Sequence, residues 1–244
     1  METLVQDGIA TIRFGHPKSN SLPGALLERL AGSVRQAGED PAARVIVLQS
    51  EGTGPFCAGA SFDEFRAIGD EEAGRRFFSG FAGVILAMIR APKFVVTRVQ
   101  GKTAGGGVGL IAASDYALAS PAAQVKLSEI AVGIGPFVVG PVIEKKIGLA
   151  AFSALAVEGD WRSAAWAERH GLFAEVLADA GELDRRTGEL AARLAGYNPD
   201  AVRRLKEVFW AGTDHWPELL AARAAISGTL VLSEYTRKAL DPKS

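Results

Sequence analysis

The chain has 244 residues, 27 basic and 28 acidic, for a net charge of -1, and 48% of it is hydrophobic. So even a balance excludes a broadly basic nucleic-acid or anionic-membrane binder. One cysteine, Cys57, excludes an internal disulfide framework and fits a reducing compartment.

No apolar run reaches the roughly 18 residues of a membrane span. The start, Met1-Glu2-Thr3-Leu4, lacks a basic n-region and an apolar core, so a cytoplasmic location is expected. His16, His170 and His215 lie at no metal-ligand spacing, and no metal is expected.

Thr3–Val5 and Ile9–Phe14 read as a β-hairpin around Asp7-Gly8. Residues 20–38 read as a helix, with Leu22, Leu26, Leu27, Leu30 and Val34 at helical spacing. Arg44–Gln49 is a continuous apolar run, the pattern of a strand buried on both faces. A loop leads to Phe56-Cys57-Ala58-Gly59-Ala60-Ser61-Phe62. Asp70-Glu71-Glu72 opens a long helix to Arg90, with acids at its positive end. Its stripe of Phe77, Phe81, Val84, Ile85, Met88 and Ile89 reads as core.

Phe94–Val99 is the next strand. It feeds Gly101-Lys102-Thr103-Ala104-Gly105-Gly106-Gly107-Val108-Gly109, and that turn feeds an apolar helix, Leu110–Ala113. Three successive glycines lose much backbone entropy on folding, so they belong where backbone must approach something closely. Free N–H groups at a helix start suit a phosphate or a developing oxyanion. A P-loop needs Lys-Ser/Thr after its last glycine, and Leu110 follows Gly109. A dinucleotide fingerprint over Gly107, Gly109 and Ala112 needs an acid ending a strand about 20 residues on. Glu129 has the distance but follows Ser128, not an apolar run.

Tyr116–Ala119 and Val125–Leu127 read as short strands, followed by Glu129 and Gly133-Ile134-Gly135-Pro136-Phe137. Helices are expected over 140–158 with a break near Gly148, and from Ser163 to Gly171. A strand over 173–177 follows, then helices over 182–196, 199–211 and 217–240. Alternating strands and helices followed by helices alone give an α/β core with a C-terminal helical segment. The last helix carries Leu219, Leu220, Ala224, Ile226, Leu230, Val231 and Leu232, more than a solvated helix should expose.

Two loops look alike: each follows an apolar strand and presents small residues before a helix. If the strands are neighbours, two backbone N–H groups converge on one oxygen. Glu129 adds a base, enough for chemistry beside a thioester carbonyl. Cys57 has no motif supplying a base and reads as an inert loop thiol. Asp63 and Glu64 read as a solvated helix start, Asp115 as structural.

Asn20-Ser21-Leu22, Phe56–Ala60, Gly101 with Ala104–Gly107, Ser114-Asp115-Tyr116 and Glu129 with Gly133-Ile134 together resemble the crotonase family, the enoyl-CoA hydratase/isomerase superfamily. The order and spacing match from about Thr3 to Leu177. Ala164, Trp166-Ala167-Glu168 and Gly171-Leu172 resemble a later family helix. The resemblance implies a crotonase-like spiral of ββα units over 1–180 holding the acyl-CoA site. Over 181–244 it implies a C-terminal helical segment that helps form a homotrimer or a dimer of trimers. It implies an oxyanion hole from the N–H groups of Ala60 and Gly106 and a catalytic Glu129. Ala58, Gly59, Gly105, Gly107, Gly109, Ile134, Pro136 and Phe137 are the expected substrate contacts. No cofactor is implied beyond the CoA of the substrate itself.

Hydratases of the family carry a second glutamate two residues after the third glycine, and Gly109 stands there. One carboxylate suffices to move a double bond. Gly133–Phe137 also resembles the mitochondrial enoyl-CoA isomerase branch, which relies on one glutamate. Isomerisation is therefore the expected activity, with hydration by one glutamate or a catalytically weak acyl-CoA-binding subunit as alternatives. Ser61 replaces the aspartate usual after Ala60.

Overall fold

The computed structural model describes residues 1–240. The last four residues of the expected C-terminal segment lie outside the described residues. Strands β1 (Glu2–Gln6) and β2 (Ile9–Phe14) form the antiparallel hairpin. Asp7 (φ 51°) and Gly8 (φ 79°) turn it, both in the left-handed region that a two-residue hairpin loop demands. Strands β3 (Val45–Ser50), β4 (Val95–Val99), β5 (Thr103–Ala104), β6 (Tyr116–Ala119), β7 (Val125–Lys126) and β8 (Glu175–Val176) follow. The main sheet runs β1-β2-β3-β4-β6-β8, parallel from β2 onward. Residues 45–48 are buried, as the apolar run predicts. A second, two-stranded sheet pairs β5 with β7 in parallel.

Parallel neighbours need crossovers. Helix α1 (Gly24–Glu39) links β2 to β3, and α2 (Phe62–Ala67) and α3 (Glu71–Arg90) link β3 to β4. Asp70 caps α3 by accepting from Ala73 N–H at 2.7 Å. Helix α4 (Gly106–Ala113) follows β5. Helix α5 (Gly140–Glu158) is broken at Gly148 (φ 77°), where the sequence places the break. Helix α6 (Ala164–Arg169) is capped by Ser163, whose Oγ accepts from Trp166 N–H.

Three boundaries differ from expectation. The helix expected from residue 20 begins at Gly24, because Ser19 (φ 52°) and Asn20 (φ 55°) are left-handed. Asn20 instead donates through Nδ2 to Glu51 O and Pro55 O, both at 2.9 Å. Helix α2 begins at Phe62, one residue ahead of the helix start read at Asp63 and Glu64; Ser61 caps it by accepting from Glu64 N–H, which gives the unusual serine a role. The final helix divides into α9 (Trp216–Leu230) and α10 (Glu234–Ala239), with Ser233 capping the second piece.

Helices α7 (Ala180–Ala195) and α8 (Pro199–Phe209) precede them. Leu183, Leu190 and Ala191 of α7 pack on Val45, Val47, Val96 and Leu118 of the sheet. Helix α9 folds back along α3. An ideal Cβ on Gly74 would lie 2.7 Å from Gly228 Cα, so the two helices cross backbone to backbone. Leu220, Ala224 and Val231 join the main core. Most of the apolar surface expected to need a partner copy is thus covered within the chain, while Ile226 stays exposed.

Candidate active site

Backbone hydrogen bonds stitch the two similar loops together. Phe56 N–H donates to Lys102 O at 3.0 Å, and Ala104 N–H donates to Cys57 O at 2.9 Å. Gly59 (φ 84°) lies so close to the second loop that an ideal Cβ there would be 3.0 Å from Ala104 O and 3.7 Å from Gly106 N. On its other side the first loop bonds to residue 22: Leu22 N–H donates to Gly59 O, and Ser61 N–H to Leu22 O. Between those bonds Ala60 N–H has no acceptor among the described residues, and Gly106 N–H, opening α4, has none either. Gly105 reaches α4 at φ 52° and ψ −123°, a conformation that a side chain would strain.

Glu129 enters from the second sheet. Strand β7 ends at Lys126, and a 3-10 turn over Glu129–Val132 follows, closed by the left-handed Gly133 (φ 82°). The turn aims the carboxylate at the glycine loop: Oε1 lies 3.2 Å from where a Cβ on Gly105 would be. Oε2 is enclosed and has no hydrogen-bond partner. Burial pushes this carboxyl up to about 7, only partly opposed by the N–H groups of Glu129 and Ser128. A proton acceptor that titrates near neutrality is suited to proton transfer.

Ala58, Gly59, Gly105, Ile134, Pro136 and Phe137 line one cavity together with Ala60, Gly106 and Glu129. Gly107 and Gly109 do not line it; they are buried as packing positions. A Cβ on Gly107 would meet Cys57 Cβ at 2.7 Å, and one on Gly109 would meet Val139 Cγ1 at 2.6 Å. Val139 thus fills the space into which a side chain at 109 would start. The wall residues that sequence reasoning missed include Phe62, Phe65, Phe78, Phe81, Val139 and Ser227. Phe81 was read as plain core, yet a Cβ on Gly106 would be 2.0 Å from its Cε1. The closely spaced phenylalanines from 62 to 81 were the available signal.

The other weighed residues have structural partners. Cys57 is fully buried, and burial pushes its thiol up to about 12, in keeping with an inert loop thiol. Asp63 pairs with Lys18. Glu64 is not merely solvated: its Oε2 accepts from Gly24 N–H at 2.7 Å and so caps α1. Asp115 accepts from Val95 N–H and Trp210 Nε1. His16 Nδ1 is 3.0 Å from Ser21 Oγ, and His170 stacks near Trp166, so neither enters the cavity.

Two open N–H groups and an unpartnered carboxylate on one apolar cavity form a site for enolate chemistry. A family model described as enoyl-CoA hydratase/isomerase matches residues 5–239. The chain belongs to that family. Among curated relatives, carnitinyl-CoA dehydratase of Proteus mirabilis is 27% identical over 245 residues, covering 93% of this chain and 92% of the relative. The probable enoyl-CoA hydratase of Bacillus subtilis is 26% identical, covering 84% and 80%. Mevalonyl-coenzyme A hydratase of Beauveria bassiana is 30% identical, covering 81% and 73%. Among solved structures, an enoyl-CoA hydratase from Bacillus halodurans superposes with a TM-score of 0.91 at 20% identity, covering 98% of each chain. The α/β crotonase fold of this enoyl-CoA hydratase/isomerase family member is therefore shared across nearly its whole length. Membership makes it an enzyme of a family that acts on CoA thioesters. No helix among the described residues is long and apolar enough to cross a membrane.

Proposed function

We propose that this chain moves a carbon–carbon double bond in an acyl-CoA, interconverting 3-enoyl and 2-enoyl thioesters. One observation carries the reading. Among the described residues, Glu129 is the lone ionisable side chain on the wall of the cavity, and its Oε2 has no partner. The ionised Glu129 takes a proton from C2 of the 3-enoyl thioester. The electron pair left behind delocalises onto the thioester oxygen, which accepts from Ala60 and Gly106 N–H. Protonated Glu129 then returns its proton to C4: the C3–C4 π pair forms the new C4–H bond, and the enolate pair closes the C2–C3 double bond as the thioester carbonyl re-forms. One carboxylate acts first as base and then as acid, and no atom is gained or lost. Val139 supports the same reading, because it occupies the room a second acidic side chain at 109 would need.

Hydration is the second reading, favoured by the hydratase and dehydratase names of the relatives. Turnover of matched 3-enoyl and 2-enoyl thioesters, measured side by side, separates the two. Isomerisation is expected to be faster; hydration far exceeding it would overturn the proposal.

Assembly as a homotrimer or a dimer of trimers belongs to the same proposal. Leu149, Val157 and Trp161, and on α8 Leu205, Val208 and Phe209, remain exposed in the single chain. Sedimentation should show the assembly at micromolar concentration, and a stable monomer would exclude it.

A further inference from the structure

Ser227 carries a buried hydroxyl that is unpaired among the described residues. It sits on α9, where only 1% of its surface is exposed, and it lines the cavity that holds Glu129. A serine or threonine inside a helix ordinarily bonds back to the carbonyl a turn earlier. Thr187 does so, donating to Leu183 O at 2.7 Å, and Ser153 donates to Ala150 O at 3.1 Å. Ser227 Oγ has no hydrogen bond to any described residue, and Ser227 lies on the cavity wall. Smallness alone does not explain it. The close crossing with α3 is made by Gly228 against Gly74, and an alanine at 227 would fit as well while avoiding the loss of hydration.

We infer that Ser227 is a specificity-determining residue for the acyl group, an inference that rests on the acyl-CoA reading of this site. The substrate class is a neutral acyl-CoA whose acyl group is mostly apolar and carries one oxygen substituent, a hydroxyl or an oxo group. Phe62, Phe65, Phe78, Phe81 and Phe137 surround the acyl group with hydrocarbon surface. Among the described residues, no cationic side chain and no second carboxylate lies on the wall, so a charged substituent would be buried without a partner. A hydroxyl both donates and accepts, so it serves either kind of oxygen substituent. A site built to hydrogen-bond a substituent rejects the analogue that lacks it, because its own polar group is then left unpaired.

The test uses saturated acyl-CoAs, so that it needs no turnover. Each hydrocarbon acyl-CoA is paired with analogues bearing one hydroxyl at successive chain positions, and dissociation constants are measured for the parent protein and Ser227→Ala. At one position the parent should favour the hydroxylated ligand at least about 10-fold. Ser227→Ala should abolish that preference while leaving the hydrocarbon ligand's affinity unchanged or tighter, which also reports that the variant is folded. Indifference of the parent at every position, or a preference that survives Ser227→Ala, would overturn the inference and leave the acyl-CoA site standing. Failure of every acyl-CoA to bind the parent would overturn the acyl-CoA reading, and this inference with it.

Discussion

Lys206 Nζ lies 2.9 Å from Asp115 Oδ2, with both side chains almost fully buried. The ammonium group also donates to Met88 O at 2.8 Å and Lys93 O at 2.7 Å, so all three of its protons are used. Asp115 is equally occupied, by Lys206, Val95 N–H and Trp210 Nε1. The pair thus fastens α8 to the end of α3 and to the start of β4 and β6. Burial lowers the pKa of Lys206, the opposing pull of Asp115 notwithstanding. Removing one partner of such a pair leaves the other charged and alone. Lys206→Ala should cost about 3–5 kcal/mol, and Lys206→Met paired with Asp115→Asn much less. Urea midpoints of the parent and the two variants decide this.

Glu129 should show opposite effects on activity and stability. Glu129→Gln keeps the size but cannot accept a proton, and should lower kcat at least about 100-fold with little change in acyl-CoA affinity. Its folded pKa is raised from 4.5 to about 7. Between those values the folded protein holds a proton that the unfolded chain releases, so stability falls as pH rises. Fully above both values the cost is about 3 kcal/mol, which a neutral glutamine avoids. Glu129→Gln should therefore be more stable than the parent at pH about 8 and equal to it below about 4. Denaturation midpoints across pH test the sign; equal midpoints at every pH would deny the burial cost.

Catalysis carries the same titration. Removal of the C2 proton needs the ionised carboxylate, so kcat/KM for the 3-enoyl thioester should rise with pH and level off above about 7. A profile flat from pH about 5 to 9 would move the base away from Glu129.

Gly109 and Val139 should behave as a coupled pair. Gly109→Ala places a methyl 2.6 Å from Val139 Cγ1 and should destabilise by about 1–3 kcal/mol. Val139→Ala opens room beside it, so the double variant should recover part of that loss instead of adding to it. Additive losses in a double-mutant cycle would mean that the two residues do not share the space.

Gly228→Val should disturb the cavity from outside. A Cβ there already lies 2.8 Å from Arg75 N, so a larger side chain must push α9 off α3. Acyl-CoA affinity should fall at least about 10-fold, since a displaced α9 would no longer close its side of the cavity around the acyl group. Unchanged affinity would show that α9 does not shape the pocket.

The two loops that meet at the cavity were legible in the sequence because backbone makes them. Gly105 and Gly59 are written into the chain by positive φ, and Glu129 by the strand and glycines around it. The start of α1 was not legible: Leu22 fits the helical stripe, but its N–H bonds to Gly59 O across the fold. The cavity wall was hidden for a similar reason. Phe81 has the spacing of any buried helix residue, and only the packed structure shows that it faces Gly106 and not plain core. Ser227 gave no local signal, because what marks it is a missing hydrogen bond. Gly107 and Gly109 share the composition of their neighbours but face Cys57, Thr103 and Val139, a direction that sequence does not encode.

The cavity is finished from far along the chain. In order of synthesis Glu129 leaves the ribosome about a hundred residues before Ser227, and the two loops earlier still. A nascent chain can therefore hold a formed glycine loop and a buried-to-be carboxylate while the α9 side of the site is still open to water. Until α9 docks on Gly74, Glu129 should titrate closer to an ordinary glutamate, and an enolate formed there would be quenched by solvent. Docking of α9 on α3 is then a check on completeness, because only a chain made past Gly228 acquires a dry site.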